Sequence, residues 1–250
     1  MLTLFKLILI LSAFFGPETK EADLLRIELA RTSKAAGGQV VRHTGFALSY
    51  NESWRIPNWV AWELTAEKAK GTVARPQRQF EPDPQIRGRQ AEHRDYSRSG
   101  YSRGHMAPAG DMKWSERAMN ESFYTSNICP QLEELNNGKW KNLEEHTRWL
   151  AKEGTVYICC GPIVAAHPQR IGENKVAVPE QFFKVLCMKR RGRWQAIGFV
   201  FRNEKCTGGL DRYTLSVDEV EELTGHDFFY NLPDSIEDEI EAKCNWKGWQ

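Results

Sequence analysis

Five runs rich in β-branched and aromatic residues, at 40–50, 58–64, 155–163, 182–188 and 194–201, read as strands, and no regular helix alternates with them in a βαβ rhythm. That spacing most restricts the fold, because it points to an α+β protein with a mainly antiparallel central sheet flanked by helices. The 40–50 run is one strand with a break at Gly45. Helix patterns occupy 115–122 and, more strongly, 135–152; Ser216 with Asp218 and Glu219 reads as a capped, acidic helix start. Residues from about 20 to 38 are helix-compatible and peripheral, and 71–100 is a long Arg-rich loop containing prolines.

The first fifteen residues are mostly apolar, too short for a membrane span but right for a signal-peptide core. The expected organisation is a signal peptide over 1–22 and one domain over 23–250, secreted or periplasmic, with no stable membrane association after processing. Net charge is only +1, yet it is polarised. Residues 68–103 hold nine Lys/Arg against four Asp/Glu, whereas 218–241 hold ten Asp/Glu and no Lys or Arg. A basic segment of this kind draws anions even when the total is near neutral. Six cysteines in an exported chain permit disulfides, and Cys206–Cys244 is the preferred pair by polar surroundings. No CxxC spacing suggests a structural zinc.

The chemistry-bearing residues concentrate between Tyr101 and Arg148. His105 follows Arg103 and Gly104 directly after the basic loop, without the His-x-x-x-His spacing of a zinc protease. An imidazole free of metal suits general-base work near neutral pH. Asn136, Trp140, Glu144 and Arg148 are four apart, so on a regular helix an amide, a carboxylate and a guanidinium line one face.

These motifs together resemble the DNA/RNA non-specific endonucleases. The resemblance rests on Ser102-Arg103-Gly104-His105, on the run from Phe123 to Gln131, and on Leu135-Asn136-Asn137-Gly138-Lys139-Trp140 with Leu143-Glu144. It extends over about 40–200, including Leu48–Glu52, Asn58–Trp62 and Gly161-Pro162-Ile163. It implies a ββα-metal (His-Me finger) nuclease fold. It also implies an Mg²⁺-dependent endonuclease, with Mn²⁺ able to substitute, that cuts DNA and RNA without sequence or sugar preference and leaves 5′-phosphate ends. By matched motif, His105 is the base that activates water and Asn136 the direct metal ligand. Glu144 acts on the metal through water, Asn127 positions the site, and Arg103, Arg148 and Arg78 hold the phosphate backbone. One position departs: Ser102 stands where the family carries Asp. Homodimers occur in the family. Two rival readings remain at this stage: a nucleic-acid-binding module on the same fold, and a thiol hydrolase using Cys129 with His105.

Overall fold

The structure is a computed structural model and describes residues 26–32 and 37–250. The chain runs through β1 (Arg31–Thr32), β2 (Gln39–Arg42), β3 (Ala47–Asn51) and β4 (Ile56–Leu64). A long segment with short 3₁₀ turns leads to β5 (Ser102–His105), helix α1 (Glu116–Glu121) and β6 (Ile128–Gln131). Helix α2 (Lys141–Leu150) is followed by β7 (Val156–Ile163), β8 (Arg170–Ile171), β9 (Val176–Ala177), β10 (Gln181–Arg190) and β11 (Arg193–Arg202). The last elements are β12 (Thr214–Leu215), α3 (Val217–Thr224), β13 (His226–Asp227) and α4 (Asp234–Glu241).

Seven strands form one sheet in the order β12-β11-β10-β7-β4-β3-β2, and every pairing in it is antiparallel. The expected α+β class and antiparallel sheet are therefore present. β4 sits inside the sheet, and of its residues all but Glu63 are buried. The β10–β11 hairpin turns on Arg191 and Gly192, with φ of 51° and 79°. Two successive positive φ values give the turn whose twist matches the flanking strands.

Strand alternation divides the core in two. Phe182 and Leu186 of β10 join Trp62, Trp140, Leu143 and Leu150 on one face. Phe183, Val185 and Cys187 join Val217, Val220, Phe228 and Ile240 on the other. The first face carries α2 and the β5–β6 hairpin; the second carries α3 and α4.

Four expectations change. The 40–50 run is two strands joined at 43–46, not one. The 135–152 helix is not regular: a helical turn at Glu133–Leu135 passes into a π-type turn over Asn136–Trp140, where Gly138 has φ −102° and ψ −116°. Glycine adopts such a conformation without a Cβ clash, and it dislocates Asn136 from the regular turns bearing Glu144 and Arg148. The helix expected over 20–38 falls mostly outside the described residues, and Arg31–Thr32 within it is a strand paired with β13. Cys206 and Cys244 are not bonded; all six cysteines are free thiols, and Cys206 Sγ instead donates to the Arg202 carbonyl at 3.7 Å. The 1–22 segment lies outside the described residues.

Candidate active site

β5 and β6 pair antiparallel with His105 opposite Ile128 and Gly104 opposite Cys129. Gly104 is required by close approach, since a Cβ there would lie 2.4 Å from Gln131 Oε1. Alternation puts Arg103 and His105 on one side of the hairpin and Ser102 with Gly104 on the other. The unusual Ser102 is thus directed away from His105.

Fully buried Asn127 fixes the chain just after His105. Its Oδ1 accepts from Ala107 N at 2.9 Å, and its Nδ2 donates to the carbonyls of Ala107 and Ser122, each at 2.9 Å. Met106 N donates to the Asn127 carbonyl at 2.9 Å. The recorded hydrogen bonds of the Asn127 amide all go to backbone, at Ala107 in the chain that follows His105 and at Ser122.

The His105 ring lies between Phe80 and Phe123, at centroid distances of 5.3 and 5.2 Å. Its Nε2 is enclosed and has no hydrogen-bond partner. Burial, with the Arg75 guanidinium second, pushes its pKa down to about 3, so the imidazole is neutral at physiological pH. The unused nitrogen has a lone pair to accept a proton; burial makes it a weak base in the empty site, and a phosphate anion beside it would raise that pKa toward the working range.

Across the site, Trp140 Nε1 donates to the His105 carbonyl at 3.4 Å and ties the hairpin to the helical segment. Arg148 on α2 pairs with buried Asp111 at 2.7 Å, and Trp62 Nε1 donates to the other Asp111 oxygen at 3.1 Å. Burial raises the Asp111 pKa against the opposing pull of Arg148. Lys184, only 1% exposed, lies 4.2 Å from the Trp140 ring and 5.6 Å from the Trp62 ring. Burial pushes the half-buried Glu144 up to about 7; Lys184 is the largest force opposing that rise.

The structure thus groups His105 and Asn127 on the hairpin, and Glu144 and Arg148 on α2 with Asp111 and Lys184. Arg103 is anchored elsewhere: it donates to the His93 carbonyl at 2.7 Å and to Ser97 Oγ at 3.2 Å, although its guanidinium stays 6.0 Å from the Phe80 ring. Arg78 turns into an ion pair with Glu81. The cation that acts on His105 is Arg75, exposed and 5.0 Å from the Phe123 ring. Arg75, Asp111 and Lys184 escaped sequence reasoning because each is one charge among many, with no spacing motif. Asp111 and Lys184 carry only the signal of a charge inside an apolar run.

Cys129 is fully buried, and burial holds its thiol well above the usual range. A thiol kept protonated in the core is not a nucleophile, which removes the thiol-hydrolase reading. For a metal, the polar groups fit a hard cation: an amide oxygen from Asn136 and a half-buried carboxylate from Glu144 are oxygen donors. The His105 Nε2 is unpartnered, which leaves a nitrogen free for proton transfer.

A family model described as DNA/RNA non-specific endonuclease matches residues 29–235. Mouse mitochondrial nuclease EXOG is 36% identical over 249 residues, covering 89% of this chain and 68% of that protein. Human mitochondrial endonuclease G is 32% identical over 220 residues, covering 82% and 74%. A chain of the solved EndoG/EndoGI complex superposes with a TM-score of 0.74 at 32% identity, over 79% of this chain and 88% of that one. The chain spans 56–68% of the length of the EXOG relatives. These relatives contradict the expected secreted or periplasmic setting, since the EXOG and endonuclease G proteins are named mitochondrial. A cyanobacterial nuclease from Nostoc also matches, at 32% identity over 213 residues. The β5–β6 hairpin followed by α2 supplies the ββα unit, and with the matched family model it shows that this chain belongs to the DNA/RNA non-specific endonucleases.

Proposed function

We propose that this chain is a metal-dependent endonuclease that hydrolyses phosphodiester bonds in DNA and RNA, leaving 5′-phosphate ends. The observation that carries the mechanism is His105: neutral, held by Asn127 through the backbone that follows it, and with a buried Nε2 that has no partner. His105 takes the proton of the attacking water, a contribution of about 10²–10⁴-fold to the rate.

Asn136 and Glu144 would hold Mg²⁺, or Mn²⁺ in its place, Asn136 as the direct ligand and Glu144 through water. When bound, the ion neutralises the phosphate and supports the leaving oxygen. A neutral amide ligand leaves most of that positive charge facing the substrate. Arg148 keeps its Asp111 partner and presents the remainder of its guanidinium to the phosphate. Arg75 and Arg103 add positive charge on the His105 side, while Arg78 is reduced in that role by Glu81. Contacts to phosphate carry no base sequence, which accounts for low sequence preference. The names of the relatives support a mitochondrial setting.

Incubating the chain with supercoiled plasmid and with structured RNA, in Mg²⁺, Mn²⁺ or chelator, tests this. Both substrates should be cut with either ion, give 5′-phosphates on end-labelling, and survive in chelator. Undiminished cutting in chelator would remove the metal. Retention of nucleic acid without cutting would return the binding-module reading.

A further inference from the structure

The acid-only stretch read from the sequence folds into α3, β13 and α4, on the sheet face away from His105. Asp218 and Glu221, three residues apart on α3, meet Glu241 at the end of α4; one carboxylate oxygen from each lies within 4.8 Å of the other two. Asp218 is exposed and Glu221 half-buried, but Glu241 is 4% exposed. The enclosed Glu241 Oε1 has no hydrogen-bond partner. Glu221 uses one oxygen to accept from Phe228 N at 2.7 Å, which fixes its direction.

Three carboxylates this close, one of them inside the protein without a donor, repel unless positive charge joins them. Among the described residues, no cation is recorded against them. Glu237, on the same helix as Glu241, adds to the negative field, as does Asp227 of β13. The nearby cations are committed elsewhere: Arg31 pairs with Asp227 at 3.6 Å and Lys243 with Glu239 at 2.8 Å.

Oxygen-only donors select a hard ion, and one oxygen from each carboxylate within 4.8 Å of the others leaves room for calcium, which binds oxygen at about 2.3–2.6 Å and tolerates irregular ligand sets. We propose that Asp218, Glu221 and Glu241 form a calcium-class divalent-cation site that ties α3 to α4, separate from the catalytic metal. Water completes the coordination on the exposed Asp218 side.

The test uses the full chain carrying Asn136→Ala, which disables the catalytic metal ligand, with Ca²⁺ as the probe. Calorimetry should find one bound Ca²⁺, and melting temperature should rise by about 5 °C or more at a hundredfold excess over Kd. Adding Asp218→Asn, an exposed and fold-safe change, should weaken binding at least about tenfold; adding Glu241→Gln should abolish it. Absence of both heat and thermal shift would overturn the site. So would an equal shift with and without Asp218→Asn. Stability that grows on acidification with no response to Ca²⁺ would also overturn it, because protons rather than a cation would then relieve the cluster.

Discussion

On the α2 face of the sheet, buried charges of both signs sit together: Asp111 beside Arg148, with Lys184 between the Trp62 and Trp140 rings. On the α3–α4 face the buried charge is of one sign, and burial with like-charged neighbours drives Glu221 and Glu237 up to about 7 and Glu241 to about 9. The same sheet supports both, so the difference lies in the side chains. Mixed charge in a low-dielectric place is preorganised: its groups are already oriented, and a phosphate or metal meets them without rearrangement. One-signed charge stores repulsion that only a proton or a cation can remove. The contrast explains why the first face can carry chemistry and the second can only respond to what binds it.

On the α2 face, removing Asn136 should give the largest effect. Asn136→Ala lowers cleavage by about 10³-fold at fixed Mg²⁺ and shifts the Mg²⁺ requirement upward, while melting in chelator is unchanged. A wild-type Mg²⁺ curve for that variant would take the metal off the π-type turn. Arg148→Ala strips Asp111 of its partner and should cost about 3 kcal/mol of stability by denaturant melts, as well as activity. If stability holds and only the salt dependence of DNA binding flattens, Arg148 serves phosphate alone and the mixed-charge account of this face weakens. Asn127→Ala loses a buried amide with three backbone hydrogen bonds, and should cost about 2–3 kcal/mol, with activity falling through displacement of His105.

The smallest effect separates the two faces by pH, in chelator. His105 has a depressed pKa of about 3, so the unfolded chain binds its proton first, and stability is lost as pH falls from about 6.5 towards 3. Glu221, Glu237 and Glu241 have raised values, so the folded chain binds more protons, and stability is lost as pH rises from about 4.5 towards 7 to 9. Where the two windows overlap, the three carboxyls outweigh the one imidazole, so melting temperatures should peak near about pH 4.5 and fall from there to pH 9. Glu237→Gln should flatten only the alkaline side; an unchanged alkaline slope would show that the repulsion is relieved in some other way.

The strands and the capped helix at Ser216 were legible because period-2 burial and the Ser216–Glu219 capping box are local signals. His105, Asn127, Asn136 and Glu144 stand out in the sequence only as a joint motif. The break at Gly138 does not stand out, since a helical heptad pattern continues through it and a lone glycine inside a helix is usually tolerated. The partners of Arg78, Arg103 and Arg148 were hidden for another reason. Sequence shows where cations occur, but Glu81, the His93 carbonyl and Asp111 compete for them only in three dimensions. The expectation of export rests on the apolar composition of residues 1–15 alone, and such composition does not identify a compartment.

That His105 activates the attacking water is tested most directly by the initial rate of plasmid nicking in saturating Mg²⁺ for His105→Ala beside the unaltered chain, with DNA affinity and melting temperature measured in parallel. The account predicts a fall of about 10²–10⁴-fold in rate with affinity and fold retained. A folded, DNA-binding His105→Ala protein that nicks at the rate of the unaltered chain would contradict it.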